Sequence, residues 1–190
     1  MRPYVILNAA MTLDGKIATA TGSSNISGPE DLKRVHEIRK DCDAIMVGIG
    51  TVLADDPRLT VHKIDANPDD NPVRVVVDSK CRTPTDSRIT NSDAKTIIAC
   101  ANEYKDDFKA SDRYETFKNR GVKFFFSGDK RVDLVALMSY LHEEGIEKLF
   151  GLNFQIFLLY LINLLFLYFL FPIFIESSFQ SEQLKSLLLQ

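Results

Sequence analysis

The chain has 190 residues, of which 45% are hydrophobic and 26% are charged, and its formal net charge is −3 at pH 7. This length accommodates one domain, or one domain with an appendage, and the composition excludes a chain that is disordered throughout. The slightly acidic balance argues against a nucleic-acid partner, because such proteins carry a strongly basic surface.

The first part of the chain predicts a strand followed by a helix. Residues 4–9 form a short apolar run and predict the first strand. Ser27-Gly28-Pro29-Glu30 predicts the start of a helix, because Ser27 is suited to cap it and proline is tolerated in the first turn. The predicted apolar face of this helix consists of Leu32, Val35, Ile38 and Cys42.

The following segments predict buried strands and a second helix. The predicted strands are residues 44–49, 73–77, 96–100 and 122–126. The second helix is predicted over residues 132–144, beginning near Asp133 and ending at Gly145. Strands that alternate with helices predict an α/β fold with a mostly parallel sheet and helices on both of its faces.

The composition changes sharply near residue 150. Residues 1–150 carry 22 of the 23 Lys and Arg and 24 of the 26 Asp and Glu, whereas residues 149–175 carry no charge. We therefore divide the chain into a domain at 1–150, an uncharged apolar segment at 151–175 and a mixed tail at 176–190. Residues 156–175 would measure about 30 Å as a helix, so hydropathy favours a membrane segment there.

The cysteines and histidines predict neither a disulfide framework nor a metal site. The cysteines are Cys42, Cys81 and Cys100, an odd number with long gaps, which is typical of a reduced, cytoplasmic protein. The histidines are His36, His62 and His142, which are far apart in sequence and lack ligand spacing. We expect no bound metal.

Candidate ligand-binding segments follow the predicted strands, because open parallel sheets bind ligands at the carboxyl ends of their strands. Gly48-x-Gly50-Thr51 would let a phosphate approach the backbone, although a tight strand-end turn is the alternative. The loop at residues 79–82 combines a hydroxyl with two cations, which suits a phosphate such as the 2′-phosphate of NADPH. The alternative for that loop is a solvated basic turn. Asp55-Asp56-Pro57 predicts a helix cap or a turn.

Four stretches in register resemble the riboflavin-biosynthesis reductase family: residues 8–19, 26–39, 43–64 and 71–84. That family includes the C-terminal domain of bifunctional deaminase-reductases and stand-alone archaeal and fungal reductases, and this chain is most similar to the archaeal type. The resemblance implies a dihydrofolate-reductase-like fold and a homodimer. It also implies that NADPH, or sometimes NADH, reduces the ribosylamino side chain of 2,5-diamino-6-ribosylamino-4(3H)-pyrimidinone 5′-phosphate to the ribitylamino compound.

The resemblance also implies which residues bind each ligand, but it identifies no catalytic acid or base. The implied cofactor-binding residues are Thr51, Asp55, Ser79, Lys80, Cys81, Arg82 and Val132. The implied substrate-binding residues are Ser23, Arg39, Leu59 and His62. Arg39 is suited to pair with the substrate phosphate, and His62 stands where bacterial relatives carry Arg. Asn8 and Asp14 belong to the opening motif and are expected to shape the site.

The chain departs from the family after residue 150. The family continues with a Glu-Gly-Gly motif, whereas this chain reads Gly151-Leu152-Asn153-Phe154, so we expect a fold that is incomplete at its C-terminus. Three interpretations stay open: a working reductase, an inactive truncated or frame-shifted copy, and a membrane-anchored nucleotide-binding module. Because backbone donors to the cofactor would be missing, we expect little reductase activity and association with membranes or aggregation.

Overall fold

The computed structural model describes residues 1–8 and 28–151. Six strands are described: β1 Tyr4–Leu7, β2 Ala44–Gly48, β3 Val73–Val77, β4 Thr96–Cys100, β5 Lys123–Phe126 and β6 Lys148–Gly151. The helices are α1 Pro29–Lys40, α2 Ile49–Asp55, α3 Lys105–Lys109, α4 Asp112–Asn119 and α5 Leu134–Glu143. All strand pairs are parallel, and the sheet order is β1-β6-β2-β3-β4-β5. The predicted parallel α/β architecture is confirmed.

The aromatic residues of β5 show that helices cover both faces of the sheet. Neighbouring residues in a strand point to opposite faces. The ring of Phe124 packs against Phe108 and Phe117 of α3 and α4, with centroids 5.1 and 5.6 Å away. The ring of Phe125 stacks on Tyr140 of α5 at 4.4 Å. The prediction of helices on both faces is therefore confirmed.

Of the six described strands, β6 is the one that the sequence did not predict. It lies between β1 and β2, with Leu149 opposite both Val5 and Ala44. Leu149 and Phe150 are fully buried. The strand has only four residues, and its sequence continues without a turn signal into the uncharged segment, so its apolar residues do not stand out as a separate strand.

Helix α1 begins one residue later than predicted and presents a different face. Ser27 lies outside the described residues, and the N-cap is Gly28, which makes no side-chain capping bond; Pro29 occupies the first turn as predicted. Leu32 is 40% exposed, whereas His36 is 4% exposed. The predicted apolar face is thus wrong at Leu32, because the helix turns a histidine rather than this leucine towards the interior.

The predicted membrane segment at residues 156–175 and the tail at 176–190 lie outside the described residues. Within the described residues, no helix combines the length and the apolarity needed to cross a bilayer.

Candidate functional site

The loop that follows β3 is a closed turn stabilised from within. Asp78 is fully buried, and its Oδ2 accepts hydrogen bonds from the backbone N–H and the hydroxyl of Thr83, at 2.7 and 2.8 Å. The N–H of Cys81 donates to the Asp78 carbonyl at 3.0 Å, and Cys81 has a left-handed φ of 52°. Residues 78–83, called the β3 loop below, therefore hold a fixed shape.

The β3 loop presents two cations to solvent. Lys80 and Arg82 are exposed, and the Arg82 side chain retains 53% of its accessible surface. The Nε of Arg82 lies 3.8 Å from the Oδ1 of Asp78, which otherwise finds no hydrogen-bond partner among the described residues. The loop thus combines a rigid backbone with available positive charge, the combination that binds phosphate groups.

Neighbouring loops at the carboxyl edge of the sheet are bonded to the β3 loop. The Oγ of Ser79 accepts the N–H of Val132 at 3.2 Å, and the Ser79 carbonyl accepts the N–H of Ala101 at 3.1 Å. Val132 is 8% exposed. The structure therefore brings Ser79, Lys80, Cys81, Arg82 and Val132 together, although Val132 lies more than 50 residues from Ser79.

The thiol of Cys81 is buried in the interior rather than exposed to solvent. Cys81 is 5% exposed and Cys100 is fully buried. A hydrogen bond with Cys81 and burial raise the pKa of the Cys100 thiol above its ordinary value. Cys81 therefore contributes to the β3 loop through its backbone.

Helix α2 carries Thr51 and Asp55. The helix starts directly after β2, with Gly48 as its N-cap, so half-buried Thr51 lies near the carboxyl edge of the sheet. Exposed Asp55 is its last residue. Asp56 caps the helix in the left-handed region and accepts hydrogen bonds from the Arg88 N–H and Nε at 2.8 and 3.2 Å. The predicted cap at these paired carboxylates is confirmed at Asp56, whose carboxylate is bonded to Arg88.

A second cluster contains Arg39 and the turn that follows α2. Arg39 lies in the last turn of α1, where its Nη1 is 3.4 Å from the Thr60 carbonyl oxygen and 3.4 Å from the Nε2 of His36. The Nδ1 of His36 accepts the N–H of His62 at 3.1 Å and the N–H of Lys63 at 3.4 Å. Residues 60–63 are called the α2 turn below.

The two histidines far apart in sequence are in contact. Their rings meet edge to face, with centroids 4.5 Å apart. Burial, followed by the charge of Arg39, lowers the pKa of His36 to about 4. Burial also lowers the pKa of His62, against the opposing hydrogen bond with Thr60. Both rings are therefore neutral at pH 7, although His62 itself is exposed.

The tautomer of His36 leaves Arg39 poorly paired. Because Nδ1 accepts two backbone N–H groups, the ring proton lies on Nε2, so Nε2 and the Arg39 Nη1 face each other as two donors. The carbonyl of Thr60 is then the acceptor available to Nη1, and the buried Nε of Arg39 has no hydrogen-bond partner among the described residues. A half-buried guanidinium with unused donors is suited to bind an anion.

The two clusters lie at opposite ends of the strands, one at the amino edge of the sheet and the other at its carboxyl edge. Arg39 precedes β2 by a short connection, and Asn71, which accepts the Val61 N–H at 2.9 Å, precedes β3. The α2 turn is therefore at the amino edge, about 16 Å from the β3 loop if each of the five β3 residues advances the chain by about 3.3 Å. Helix α2 leads from one cluster towards the other.

The remaining predicted residues are placed as follows. Ser23 and Asp14 lie outside the described residues. Leu59 has a left-handed φ of 53° and is 2% exposed. It therefore sets the backbone direction just before the α2 turn, while its side chain is buried in the core. Asn8 follows β1, and its Oδ1 accepts a hydrogen bond from the Nη2 of Arg34 on α1 at 3.2 Å.

Two surface cavities, of about 260 and 630 Å³, lie away from both clusters. Asn91, Ser92 and Arg120 line both of them. None of the predicted site residues that the structure describes lines either cavity.

The chain matches known proteins over most of the described residues. The profile of the RibD C-terminal domain family matches residues 3–151. The chain is 60% identical over 149 residues to the 2,5-diamino-6-ribosylamino-4(3H)-pyrimidinone 5′-phosphate reductase of Methanothermobacter thermautotrophicus, covering 78% of this chain and 66% of that protein. The protein of the same name from Archaeoglobus fulgidus is 44% identical over 157 residues, covering 78% of this chain and 69% of that protein.

A solved structure is also similar to this chain. The deaminase/5-amino-6-(5-phosphoribosylamino)uracil reductase of Thermotoga maritima matches with a TM-score of 0.65 at 30% identity, covering 80% of this chain and 39% of that chain. Compared with its archaeal relatives, this chain spans about two thirds of their length. It belongs to the RibD C-terminal domain family and has the dihydrofolate-reductase-like α/β fold of that family.

Proposed function

We propose that this chain is a riboflavin-biosynthesis reductase that uses NADPH to reduce 2,5-diamino-6-ribosylamino-4(3H)-pyrimidinone 5′-phosphate to the ribitylamino compound. The 60% identity to an archaeal protein of that name supports the substrate. The observation that carries the proposal is the half-buried Arg39 guanidinium, whose Nε has no described partner. A phosphorylated substrate supplies the acceptor that Arg39 lacks.

The β3 loop fits the phosphate end of a nicotinamide cofactor. Its backbone is held by Asp78, and Lys80 and Arg82, which flank Cys81, are both exposed. Two such cations suit the 2′-phosphate that distinguishes NADPH from NADH, which supports NADPH as the preferred donor. Thr51 and Val132 extend this proposed cofactor site along the carboxyl edge, and Asp55 extends it to the last residue of α2.

The proposed division of labour follows from the separation of the two clusters. Arg39 holds the substrate phosphate at the amino edge, and the β3 loop holds the cofactor phosphate at the other, so two like charges stay about a strand length apart. When bound, a nicotinamide cofactor would provide hydride chemistry for reduction of the substrate side chain, and the accompanying proton would come from solvent. The contribution of this chain is to hold both ligands along α2 in one reactive geometry. We further propose a homodimer in a reducing, cytoplasmic compartment, in keeping with three free, buried thiols.

A second candidate is a copy that binds ligands but does not turn them over. It is favoured by the end of the family match at residue 151, where the uncharged segment takes the place of the Glu-Gly-Gly motif. Such a protein would keep the β3 loop and Arg39. It would lack the backbone donors that hold a cofactor in the reactive position.

One experiment separates the two candidates. The full 190-residue chain, purified in mild detergent, is mixed with NADPH and the pyrimidinone phosphate, and NADPH oxidation is followed at 340 nm. Turnover at enzyme-like rates, about 1–10³ s⁻¹, supports the reductase. Binding of both ligands by calorimetry without oxidation supports the inactive copy. Binding of neither ligand contradicts both candidates. Size-exclusion chromatography of the same sample tests the homodimer.

A further inference from the structure

Residue His36 makes contacts that neither its sequence context nor the proposed ligand sites explain. It lies on α1 and is only 4% exposed, although its side chain is polar. Its Nδ1 accepts the N–H groups of both His62 and Lys63, and the edge of its ring meets the ring of His62. One side chain thus holds two consecutive backbone groups of the α2 turn.

The α2 turn depends on such contacts because it is irregular backbone. Leu59, directly before it, is in the left-handed region, which is strained for a leucine. Two other side chains also bond to this turn: the Oδ1 of Asn71 accepts the Val61 N–H at 2.9 Å, and the Nη1 of Arg39 lies 3.4 Å from the Thr60 carbonyl oxygen. Removing the His36 acceptor would leave two N–H groups of this turn without that partner.

Burial and the titratable groups around His36 favour the neutral ring that these bonds require. Arg39 faces it from α1, and His62 and Lys63 face it from the α2 turn, and each lowers its pKa together with burial. A neutral ring with Nδ1 as the acceptor presents Nε2–H towards Arg39. The ring therefore occupies one flank of the guanidinium without accepting a hydrogen bond from it.

We propose that His36 is a positioning residue for substrate: it fixes the α2 turn through Nδ1 and leaves the donors of Arg39 free for the substrate phosphate. This inference rests on the proposed function, because Arg39 is the proposed phosphate ligand. It goes further because it gives a buried histidine a role: His36 holds Arg39, Thr60 and His62 together as one anion-binding surface.

Two variants test the proposal on the full chain. Asparagine places Oδ1 where the histidine Nδ1 stood, so His36→Asn keeps the acceptor, whereas His36→Leu removes it. Hydrogen exchange at the His62 and Lys63 amides, read by mass spectrometry with fragmentation, reports the turn without any ligand. Calorimetric Kd values for the pyrimidinone phosphate and for NADPH report the two sites separately.

We expect His36→Leu to speed exchange at both amides about tenfold and to weaken substrate binding by a similar factor, since a net hydrogen bond stabilises by roughly 0.5–1.5 kcal/mol. NADPH binding should change less than twofold, and His36→Asn should restore both readouts. Unchanged exchange in His36→Leu, or equal weakening of both ligands, overturns the proposal. If the wild type binds no substrate, the proposed function fails, and slowed exchange in His36→Asn relative to His36→Leu still decides whether His36 holds the turn.

Discussion

Asp78 and Thr83 are joined twice, because both the backbone N–H and the hydroxyl of Thr83 donate to the same carboxylate oxygen. Both residues are almost fully buried, at 0 and 1% exposure. A buried carboxylate is stable only when hydrogen bonds replace its hydration. This pair therefore sets the shape of the β3 loop before any ligand is bound.

The first prediction concerns this pair. Thr83→Val keeps the size of the side chain and removes the hydroxyl donor to a buried, charged acceptor, so it should lower the free energy of unfolding by about 1.5–3 kcal/mol. Urea denaturation followed by circular dichroism measures the change. Thr83→Ser is the matched control, because it keeps the hydroxyl and should lose less. Equal losses in both variants would show that the methyl packing, not the hydrogen bond, matters.

The second prediction concerns the turn that leads to Val132. Gly128 has a φ of 66°, and a Cβ there would overlap the Arg131 carbonyl oxygen and lie 2.9 Å from the Asp133 N. Gly128→Ala should therefore destabilise the protein by more than the roughly 1 kcal/mol that left-handed backbone costs alanine. Gly121→Ala is the control, since its φ is 76° and no described atom lies within 4 Å. Urea midpoints that agree for the two variants would contradict the clash.

The third prediction concerns the cofactor. Arg82→Ala should weaken NADPH binding by about 1.5–3 kcal/mol and NADH binding much less, because a charge-assisted contact to the 2′-phosphate exists only in NADPH. Fluorescence titration of the full chain with each cofactor measures both. Lys118→Ala removes a comparable exposed cation from α4 and should alter neither affinity. A similar loss of NADH binding would mean that Arg82 does not recognise the 2′-phosphate.

The fourth prediction concerns the substrate phosphate. Arg39→Met keeps much of the buried aliphatic stem and removes the charge, so it should weaken binding of the phosphorylated pyrimidinone at least tenfold and leave NADPH affinity nearly unchanged. Isothermal titration calorimetry measures both. Lys40→Met, the neighbouring cation that pairs with Asp70 at 3.1 Å, is the control. A substrate affinity that stays intact in Arg39→Met would remove Arg39 from the site.

The fifth prediction concerns pH. The pKa of His36 is about 4 in the folded protein against an ordinary 6.5, so the unfolded chain binds more protons between these values. The stability that neutral His36 confers is fully present above pH 6.5 and is lost as the pH falls towards 4. The free energy of unfolding should drop between pH 7 and 4.5 by about 2 kcal/mol more in the wild type than in His36→Asn. Parallel pH profiles would contradict this assignment.

The sequence predicted the inner strands better than the helices. Strands β3 and β4 begin and end where their β-branched runs predicted, because strands buried on both faces read as continuous apolar segments. The short helices α3 and α4 were not predicted, since their charged surfaces obscure the apolar periodicity of Phe108 and Phe117. Ser27 looked like a cap by type, yet Gly28 adopts the extended cap geometry.

The candidate site was predictable only in part. The basic character of the β3 loop was predictable, because Lys80 and Arg82 lie within one short segment of the sequence. The structure places Val132 beside this loop. The contact between His36 and His62 was not predictable, because the chain between α2 and His62 passes through left-handed backbone at Leu59, a conformation that leucine rarely adopts. Asp78 was likewise missed as the centre of its loop. Asp78 is identified as the centre of the loop by its complete burial, and the burial of a single acidic residue cannot be predicted from its sequence position.

The position of β6 has a consequence for how the protein is made. This strand is the last described element in the chain, yet it lies between β1 and β2. During synthesis, β2 to β5 can assemble while the edge of β2 still lacks its neighbour, and every residue of β2 is buried in the finished sheet. An unpaired apolar edge invites association with other chains. The interval before residue 151 leaves the ribosome is therefore when the nascent chain most needs protection by a chaperone.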